Sequence, residues 1–339
     1  MNLASPFEAL TPEPFSTRWR SPSNIAFVKY WGKKGHQLPA NPSLSMTLKE
    51  CFTETEVTFT PSDSMKVELF LEGKLEDKFS QKIERFLRSL NLSWPTKISY
   101  KIETRNTFPH GTGIASSASG LSAFALCLTD YLFHLKKEEA SFFETASYFS
   151  RLASGSACRS VYGGFTTWGE KSDFFASPLE VHPDVRNLRD TVIVVSAEEK
   201  AVSSTSGHGQ MSEHLFSESR FKQGTMNFHT MKRSLETGDI ETMGRILESE
   251  ALSLHAMMLT SPQYYILMKP QTLNAIQMIW SFREETKLPL YFTLDAGPNL
   301  HLIYPESYQE KIKTFIMHEL SPIAQKVIDD ERGEGPQKC

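Results

Sequence analysis

The chain of 339 residues is long enough to form two domains with substantial cores. Hydrophobic residues make up 40% and charged residues 22% of it, and the formal net charge of −4 argues against a general nucleic-acid partner. No apolar run approaches the roughly 18 residues of a membrane helix, and the first twenty residues lack the apolar segment of a secretory signal.

The cysteines are scattered and form no Cys-x-x-Cys pair; they are Cys51, Cys127, Cys158 and Cys339. This pattern indicates a reducing compartment, and we expect a cytoplasmic protein. His255 has no second ligand at metal spacing, so it is expected to be a packed or capping histidine and no metal site is predicted.

The first segment with chemical character follows an irregular N-terminus, residues 1–20. A short apolar strand over residues 25–28 leads into Lys29, Tyr30, Trp31, Gly32 and Lys33. The lysines could form a solvated charge cluster. The aromatic pair between them weakens that interpretation, because aromatic residues beside cations tend to shape a pocket.

Alternating and helical patterns then predict strands over residues 53–60 and 67–72, a helix over 81–90 and a strand over 98–102. The last strand leads into a glycine- and serine-rich loop, residues 108–120, which opens a helix with apolar residues at helical spacing. The first N–H groups of a helix lack partners within it, and small residues leave room for a phosphate.

This loop is therefore interpreted as a phosphate cradle, with a plain surface loop as the alternative. It is not a P-loop, because no Gly-Lys-Ser/Thr sequence ends it. A dinucleotide fingerprint is also disfavoured, because Ser116 stands where the third glycine would be.

A second predicted helix ends at the small residues Ser154, Gly155 and Ser156, shortly before Arg159. Backbone donors together with a guanidinium suit a phosphate or carboxylate. The alternative is a helix cap at Gly155 with a solvent-exposed Arg159.

The C-terminal half begins with a predicted buried strand over residues 191–195 and a third hydroxyl-rich loop over 202–209. Helical periodicity covers residues 212–259 and is interrupted at 238–239. A strand over 290–294 runs into Asp295, which is either a catalytic carboxylate or an ordinary turn residue. A further strand over 300–304 and a helix precede a polar tail, residues 329–339, that is expected to be frayed.

Together these segments resemble the GHMP superfamily of small-molecule kinases and, within it, the diphosphomevalonate decarboxylase family. The resemblance covers most of the chain and is carried by four motifs in order. They are Ser21-Pro22-Ser23-Asn24-Ile25-Ala26 with Val28-Lys29-Tyr30-Trp31-Gly32-Lys33, then Gly113-Ile114-Ala115-Ser116-Ser117-Ala118-Ser119-Gly120, Ser154-Gly155-Ser156-Ala157-Cys158-Arg159-Ser160 and Asp295-Ala296-Gly297-Pro298-Asn299.

The resemblance implies a two-lobed α/β (α+β) fold with the active site in the cleft between the lobes. The N-terminal lobe, residues 1–195, would resemble the second domain of ribosomal protein S5. The C-terminal lobe, residues 196–328, would be ferredoxin-like, with residues 329–339 as the tail. The implied reaction of isoprenoid biosynthesis converts mevalonate 5-diphosphate to isopentenyl diphosphate, with ATP and Mg²⁺ as cofactors. A homodimer is implied, and neither a membrane nor a nucleic acid is expected as a partner.

The same resemblance implies the roles of individual residues. Asp295 would act as the catalytic base, Lys29 would keep it ionised and help neutralise the developing oxyanion, and Arg159 would hold the substrate carboxylate and diphosphate. The remaining substrate contacts implied are Tyr30, Trp31, Gly32, Lys33, Lys82, Ser154, Gly155, Ser156, Ser204 and Thr205. The implied ATP contacts are Gly111, Gly113, Ala115, Ser116, Ser117 and Ser119.

The chain departs from the family pattern at the entrance of the serine loop, where His110 and Thr112 replace small residues. Two related activities therefore stay open, a decarboxylase of mevalonate 5-phosphate and a 3-kinase without decarboxylation. A ligand sensor without catalysis is a third alternative, disfavoured by the presence of Asp295.

Overall fold

The computed structural model describes residues 3–8, 10–108, 116–137, 141–198 and 204–339, and not the side chains of residues 204–206. In these ranges the strands are β1 (Phe15–Val28), β2 (Lys33–Lys34), β3 (Leu38–Pro39), β4 (Ser43–Pro61), β5 (Lys66–Leu71), β6 (Lys74–Leu75), β7 (Ile98–Asn106), β8 (Phe165–Trp168), β9 (Ser177–Leu179), β10 (Leu188–Val194), β11 (Tyr291–Thr293), β12 (Leu300–Pro305), β13 (Lys326–Glu331) and β14 (Gln337–Lys338). The α-helices are α1 (Asp77–Ser89), α2 (Ser116–Lys136), α3 (Phe142–Ala153), α4 (Ser204–Gln210), α5 (Ser217–Thr237), α6 (Ile240–Leu259), α7 (Pro270–Thr286) and α8 (Gln309–Phe315).

The first lobe is built on a sheet with the strand order β14-β1-β4-β7-β5-β6, and β8 and β9 extend it from β4. Its pairs are antiparallel except for β5 with β7, which run parallel. In β4 the side chains of Thr55, Val57 and Phe59 are buried while the residues between them are more exposed. This period-2 pattern places one face of the sheet against helices α1 to α3.

Helix α2 is the central helix of this lobe. It is long and apolar enough to meet the length and composition criteria of a membrane span, but 78% of its most apolar window is buried inside the protein. A helix that is apolar on all sides is typical of a protein core. Cys127 lies on this helix as a fully buried thiol.

Strand β1 links the two lobes, and the exposure of its side chains changes along its length. Residues 15–20 alternate between buried and accessible positions, whereas residues 21–28 are all buried. The second half is buried because Ile25 and Phe27 share a hydrophobic cluster with Val192 of β10 and Leu247 of α6. The strand therefore delivers its C-terminal end to the junction of the lobes.

The second lobe has a four-stranded antiparallel sheet in the order β11-β12-β10-β13. Helices α5 and α6 form a helical hairpin that turns at the predicted interruption, residues 238–239. Gly238 adopts a left-handed conformation with φ of +77°, and the side chain of Asp239 accepts a hydrogen bond of 3.0 Å from Thr242 N. These are the C-terminal and N-terminal caps that favour a sharp reversal.

Two expectations about the C-terminal half are wrong. Strand β10 was assigned to the first lobe, but it pairs with β12 and β13 of the second sheet. The tail is not frayed, because β13 pairs with β10, β14 pairs with β1, and Asp330 accepts backbone hydrogen bonds from Lys49 and Cys51, each 2.8 Å long. Charged residues in the tail concealed a strand that is held by distant partners.

Two helices of the second lobe were also not predicted. The third hydroxyl-rich segment, expected as a loop, contains α4 from residue 204. Helix α7 carries exposed Leu273 and Trp280 beside buried Ala275 and Ile279, so its apolar residues do not form a single stripe.

Candidate active site

The candidate site lies where β1 ends, and its centre is an ion pair. Lys29 directly follows the strand, and its side chain is 2% exposed. Its Nζ donates hydrogen bonds to Asp295 Oδ1 at 2.9 Å and to the carbonyl oxygen of Ala26 at 2.7 Å. The carboxylate of Asp295 is more accessible, at 27% exposed, so it is partly open to solvent.

Asp295 is held by its own turn and by a histidine. The backbone N–H of Gly297 donates to the carbonyl oxygen of Asp295 at 2.7 Å. The Nε2 atom of His255 lies 3.1 Å from the same oxygen. His255 is therefore the packed histidine that the sequence predicted, and it supports the turn that carries the carboxylate.

The charge on Lys29 is set by opposing effects. Burial lowers the pKa of Lys29, whereas the negative charges of Asp295 and Glu250 raise it. The positive charge of Arg159 lowers the pKa of Lys29 further. Burial is the largest of these effects, so the pKa of Lys29 is lowered overall, and the two carboxylates oppose that shift in favour of the ammonium form.

Arg159 is the second buried cation, and it lies in a 3₁₀ helix, Gly155–Val161, that follows α3. Its Nη1 donates to Ser43 Oγ at 2.6 Å and its Nε to Asn24 Oδ1 at 3.4 Å. Burial lowers the pKa of Arg159, and the charge of Asp295 opposes that shift. Arg159, Lys29 and Asp295 thus share one electrostatic environment.

The turn after Lys29 forms an aromatic wall. Gly32 has a φ of +103°, which favours glycine, and a Cβ there would lie 2.5 Å from the ring of Phe221. Tyr30 and Trp31 are almost fully buried. A Cβ on Gly155 would lie 2.6 Å from Tyr30 Oη, so the Ser154–Ser156 segment requires its glycine.

The Tyr30 hydroxyl is buried and has no hydrogen-bond partner in the described part of the chain. Burial raises the pKa of Tyr30, so this hydroxyl stays protonated and can donate a hydrogen bond to an anion. Like Tyr30, the residues Ser154, Gly155 and Ser156 are predicted substrate contacts.

Two lysines add positive charge to this wall. Burial lowers the pKa values of Lys33 and Lys82, and the charge of Lys33 lowers the pKa of Lys82 further. Within the described ranges neither lysine forms an ion pair. A bound anion would relieve this repulsion.

A cleft at the start of α2 has a volume of about 70 Å³, and Lys82, Ser116, Ser117 and Gly120 lie in its walls. Lys82 therefore lies beside the predicted nucleotide contacts. Ser119 does not line this cleft, because it is fully buried and its hydroxyl lies 2.7 Å from Thr53 Oγ1.

Some predicted contacts cannot be placed. Gly111, Gly113 and Ala115 lie outside the described residues. Ser204 and Thr205 begin helix α4, and their side chains are also outside the described part.

Sequence reasoning missed His208 on α4. Its Nδ1 accepts a hydrogen bond of 3.0 Å from Gly32 N, and its ring lies 4.4 Å from the ring of Tyr30 and 4.6 Å from that of Trp31, measured between centroids. The only signal was a histidine between two glycines, which gives no partner. Sequence reasoning also missed Glu250 on α6. This carboxylate lies at helical spacing from the apolar residues Leu247, Ala251 and Leu254, and that pattern could have indicated that it is buried.

Comparisons with known proteins agree with this geometry. Residues 21–177 match the family model described as the diphosphomevalonate decarboxylase-like N-terminal domain, and residues 191–337 match the mevalonate 5-diphosphate decarboxylase C-terminal domain. The chain is 29% identical to the diphosphomevalonate decarboxylase of Candida albicans, over 96% of this chain and 98% of that protein. It is 31% identical to the diphosphomevalonate decarboxylase of Danio rerio, over 94% of this chain and 82% of that protein.

Solved structures give the same result. A structure described as MDDEF in complex with MVAPP, AMPPCP and magnesium superposes with a TM-score of 0.86 at 31% identity, covering 96% of this chain and 99% of that one. Mevalonate diphosphate decarboxylase from Staphylococcus aureus gives a TM-score of 0.85 at 28% identity, covering 96% and 98% of the two chains. The expected two-lobed fold is thereby confirmed.

Proposed function

We infer the function from the premise that this chain belongs to the diphosphomevalonate decarboxylase family. It is an enzyme that converts (R)-mevalonate 5-diphosphate to isopentenyl diphosphate, with ATP and Mg²⁺, and releases ADP, phosphate and CO2. The observation that carries this conclusion to the residues is the Lys29–Asp295 ion pair of 2.9 Å within the field of Arg159.

Asp295 is proposed to accept the proton of the substrate's 3-hydroxyl while the hydroxyl oxygen attacks the γ-phosphorus of ATP. The new O–P bond forms while the bond from the γ-phosphorus to the bridging oxygen breaks, and ADP leaves with that electron pair. A positioned base of this kind contributes typically 10²–10⁴-fold. Lys29 stabilises the negative charge that develops on the attacking oxygen.

Decarboxylation follows from the phosphate placed on C3. The C3–O bond breaks and phosphate leaves with the electron pair, so positive charge develops at C3. The bond between the carboxylate carbon and C2 then breaks, and its electrons form the C2–C3 double bond as CO2 departs. Arg159 is proposed to hold the carboxylate with its planar guanidinium until this step.

The residues at the start of α2 fit ATP and Mg²⁺. The helix begins with backbone N–H groups that lack partners within it, beside Ser116, Ser117 and the cation Lys82. Bound Mg²⁺ shares the charge of the nucleotide phosphates and takes several of its oxygen ligands from them.

The substrate's phosphorylation state is tested by incubating the protein with ATP, Mg²⁺ and, separately, mevalonate, its 5-phosphate and its 5-diphosphate. Both ADP and CO2 are measured. We expect equal amounts of both products with the diphosphate and much less with the other two compounds. Preference for the monophosphate would identify the first related activity, ADP without CO2 would identify a 3-kinase, and no ADP with any compound would indicate a protein without this catalysis.

We further propose a cytoplasmic homodimer. The cytoplasmic assignment is supported by three free, buried cysteines, Cys51, Cys127 and Cys158. Dimerisation is supported by exposed apolar side chains at Leu215 and Ile266, which are 87% and 71% exposed. Light scattering after size exclusion should give twice the chain mass of 38.4 kDa, and a monomer across micromolar concentrations would contradict this.

A further inference from the structure

A buried ion pair lies on the backbone side of Lys29, and the reaction steps above do not use it. Arg220 on α5 and Glu250 on α6 are 1% and 0% exposed, and Arg220 Nη2 donates to Glu250 Oε2 at 2.5 Å. The same oxygen accepts the backbone N–H of Lys29 at 2.8 Å. Glu250 Oε1 accepts from Asn227 Nδ2 at 2.7 Å. The carboxylate is thus held by two side chains and itself holds the peptide of Lys29.

The other side of the same peptide is also fixed. The carbonyl oxygen of Lys29 accepts a hydrogen bond of 3.1 Å from Asn41 Nδ2. Gly224 on α5 leaves room for this arrangement, because a Cβ there would lie 2.8 Å from Asn41 Nδ2 and 3.0 Å from Arg220 Nη1. Both polar groups of the Lys29 backbone are therefore bonded to buried side chains.

Stability alone gives a weak reason for this ion pair. Removing two charges from water is costly, and well-packed apolar residues often replace a buried ion pair without loss of stability. Glu250 differs from a purely structural partner because its charge acts on the ammonium of Lys29 as well as on Arg220. It also connects α6 of the second lobe to the end of β1 in the first.

We propose that Glu250 is a positioning residue for Lys29, with Arg220 and Asn227 holding its carboxylate. It fixes the Lys29 peptide through the backbone N–H, so that Nζ reaches Asp295, and its negative charge favours the ammonium form. This role rests on the proposed function of Lys29 in phosphoryl transfer.

The charge of Glu250 should affect the pH at which Lys29 loses its proton. The charged groups that shift the pKa of Lys29 are Asp295 after β11, Glu250 on α6 and Arg159 after α3. The charge of Lys29 in turn lowers the pKa of Asp190 on β10. Burial and the charge of Arg159 lower the pKa of Lys29, and without the negative charge of Glu250 only Asp295 would oppose them among these groups. Lys29 should then lose its proton at lower pH, so activity should fall earlier on the alkaline side.

The test compares Glu250→Gln with Glu248→Gln. Glu248 lies on the same helix and forms a comparable ion pair of 2.6 Å with Arg283, but it has no contact with Lys29 among the described residues. The kcat and KM for mevalonate 5-diphosphate are measured from pH 6 to 10. We expect Glu250→Gln to lower kcat at least tenfold near pH 8, to change KM for ATP less than twofold and to move the alkaline limb about one pH unit lower. Glu248→Gln should leave that limb in place.

A second variant keeps the test valid if Glu250→Gln folds poorly, and a second readout keeps it valid if the variant is inactive. The double change Arg220→Gln with Glu250→Gln removes the unpaired charge and should show the same shift. Lysine labelled with ¹³C at Cε reports the titration of Lys29 by NMR without any turnover, with the Lys29 signal assigned by its loss in Lys29→Met. If Lys29 titrates at the same pH in both variants as in wild type, the proposal is overturned. Equal effects of Glu250→Gln and Glu248→Gln would also overturn it. Wild-type protein that titrates as expected but releases no CO2 would instead overturn the proposed function.

Discussion

Lys29 illustrates how single residues determine the chemistry of this protein. A lysine that is 2% exposed would normally tend to lose its charge, yet this one has two carboxylates within its electrostatic field, and one of them is 2.9 Å away. The result is a buried lysine, held in place by hydrogen bonds to Asp295 and to the carbonyl oxygen of Ala26, beside an accessible carboxylate. Such a pair is suited to stabilise charge that appears on an attacking oxygen.

Replacing Arg159 should affect substrate handling more than folding. Arg159→Ala removes a charged donor to the carboxylate, and such hydrogen bonds contribute about 1.5–3 kcal/mol. We therefore expect kcat/KM for mevalonate 5-diphosphate to fall at least roughly tenfold. Arg159→Lys should recover only part of the loss, because lysine lacks the planar fork. An unchanged kcat/KM in the alanine variant would show that the guanidinium does not contact substrate.

His208 should make stability depend on pH. Burial, with the charges of Lys33 and Arg159, lowers the pKa of His208 to about 3 from its ordinary value of 6.5. Between these two pH values His208 is protonated in the unfolded chain but neutral in the folded protein. The stabilisation is complete above pH 6.5 and is lost as the pH falls towards 3, by at most about 1.4 kcal/mol per pH unit.

The variant His208→Asn tests this sign, because asparagine can accept from Gly32 N but does not titrate. The free energy of unfolding is measured by urea denaturation at pH 7 and pH 5 for both proteins. Wild type should lose more stability than the variant over this interval. Equal losses would show that His208 titrates normally in the folded protein.

At the scale of elements, the turn between β1 and β2 determines the shape of the aromatic wall. Gly32→Ala introduces strain of about 1–3 kcal/mol at a φ of +103° and a clash with Phe221. We expect a lower melting temperature together with a raised KM for mevalonate 5-diphosphate. Gly35→Ala is the matched control, since Gly35 also has a positive φ, +52°, but open space around its Cα. Equal KM values in the two variants would disconnect the turn from substrate binding.

The elements differ in how far the sequence could predict them. Helices α2, α5 and α6 and the alternating half of β4 have strong local patterns, and their predictions are confirmed. Strand β13 has a polar sequence, and its partner β10 lies more than 130 residues away, so its pairing leaves no local signature. The site has the same limitation. Lys29, Arg159 and Asp295 meet only through tertiary folding, and a family resemblance was needed to connect them.

For the whole molecule, the site depends on how the lobes are joined. Lys29 and Arg159 belong to the first lobe, whereas Asp295, Glu250 and His208 belong to the second. A shared hydrophobic cluster packs the lobes together. The C-terminal segment adds a polar connection, since it leaves the second sheet at β13 and returns to the first at β14.

Asp330 should be the critical residue of this connection. It is 2% exposed and accepts the N–H groups of Lys49, Glu50 and Cys51. Asp330→Ala leaves three N–H groups without this acceptor, and that of Cys51 is buried, so the change should cost at least about 2 kcal/mol of unfolding free energy. Asp329→Ala removes an exposed ion pair with Lys313 and a single hydrogen bond from Thr191 Oγ1, so it should cost less, about 1 kcal/mol. Similar urea midpoints for the two variants would contradict this role.

The central claim is that one cleft places Asp295, with Lys29 and Arg159, around the alcohol that is phosphorylated. Its most direct test is the rate of CO2 release from mevalonate 5-diphosphate by Asp295→Asn, with nucleotide binding measured on the same sample. We expect the rate to fall by about 10²–10⁴-fold while ATP still binds. A rate within twofold of wild type would contradict it.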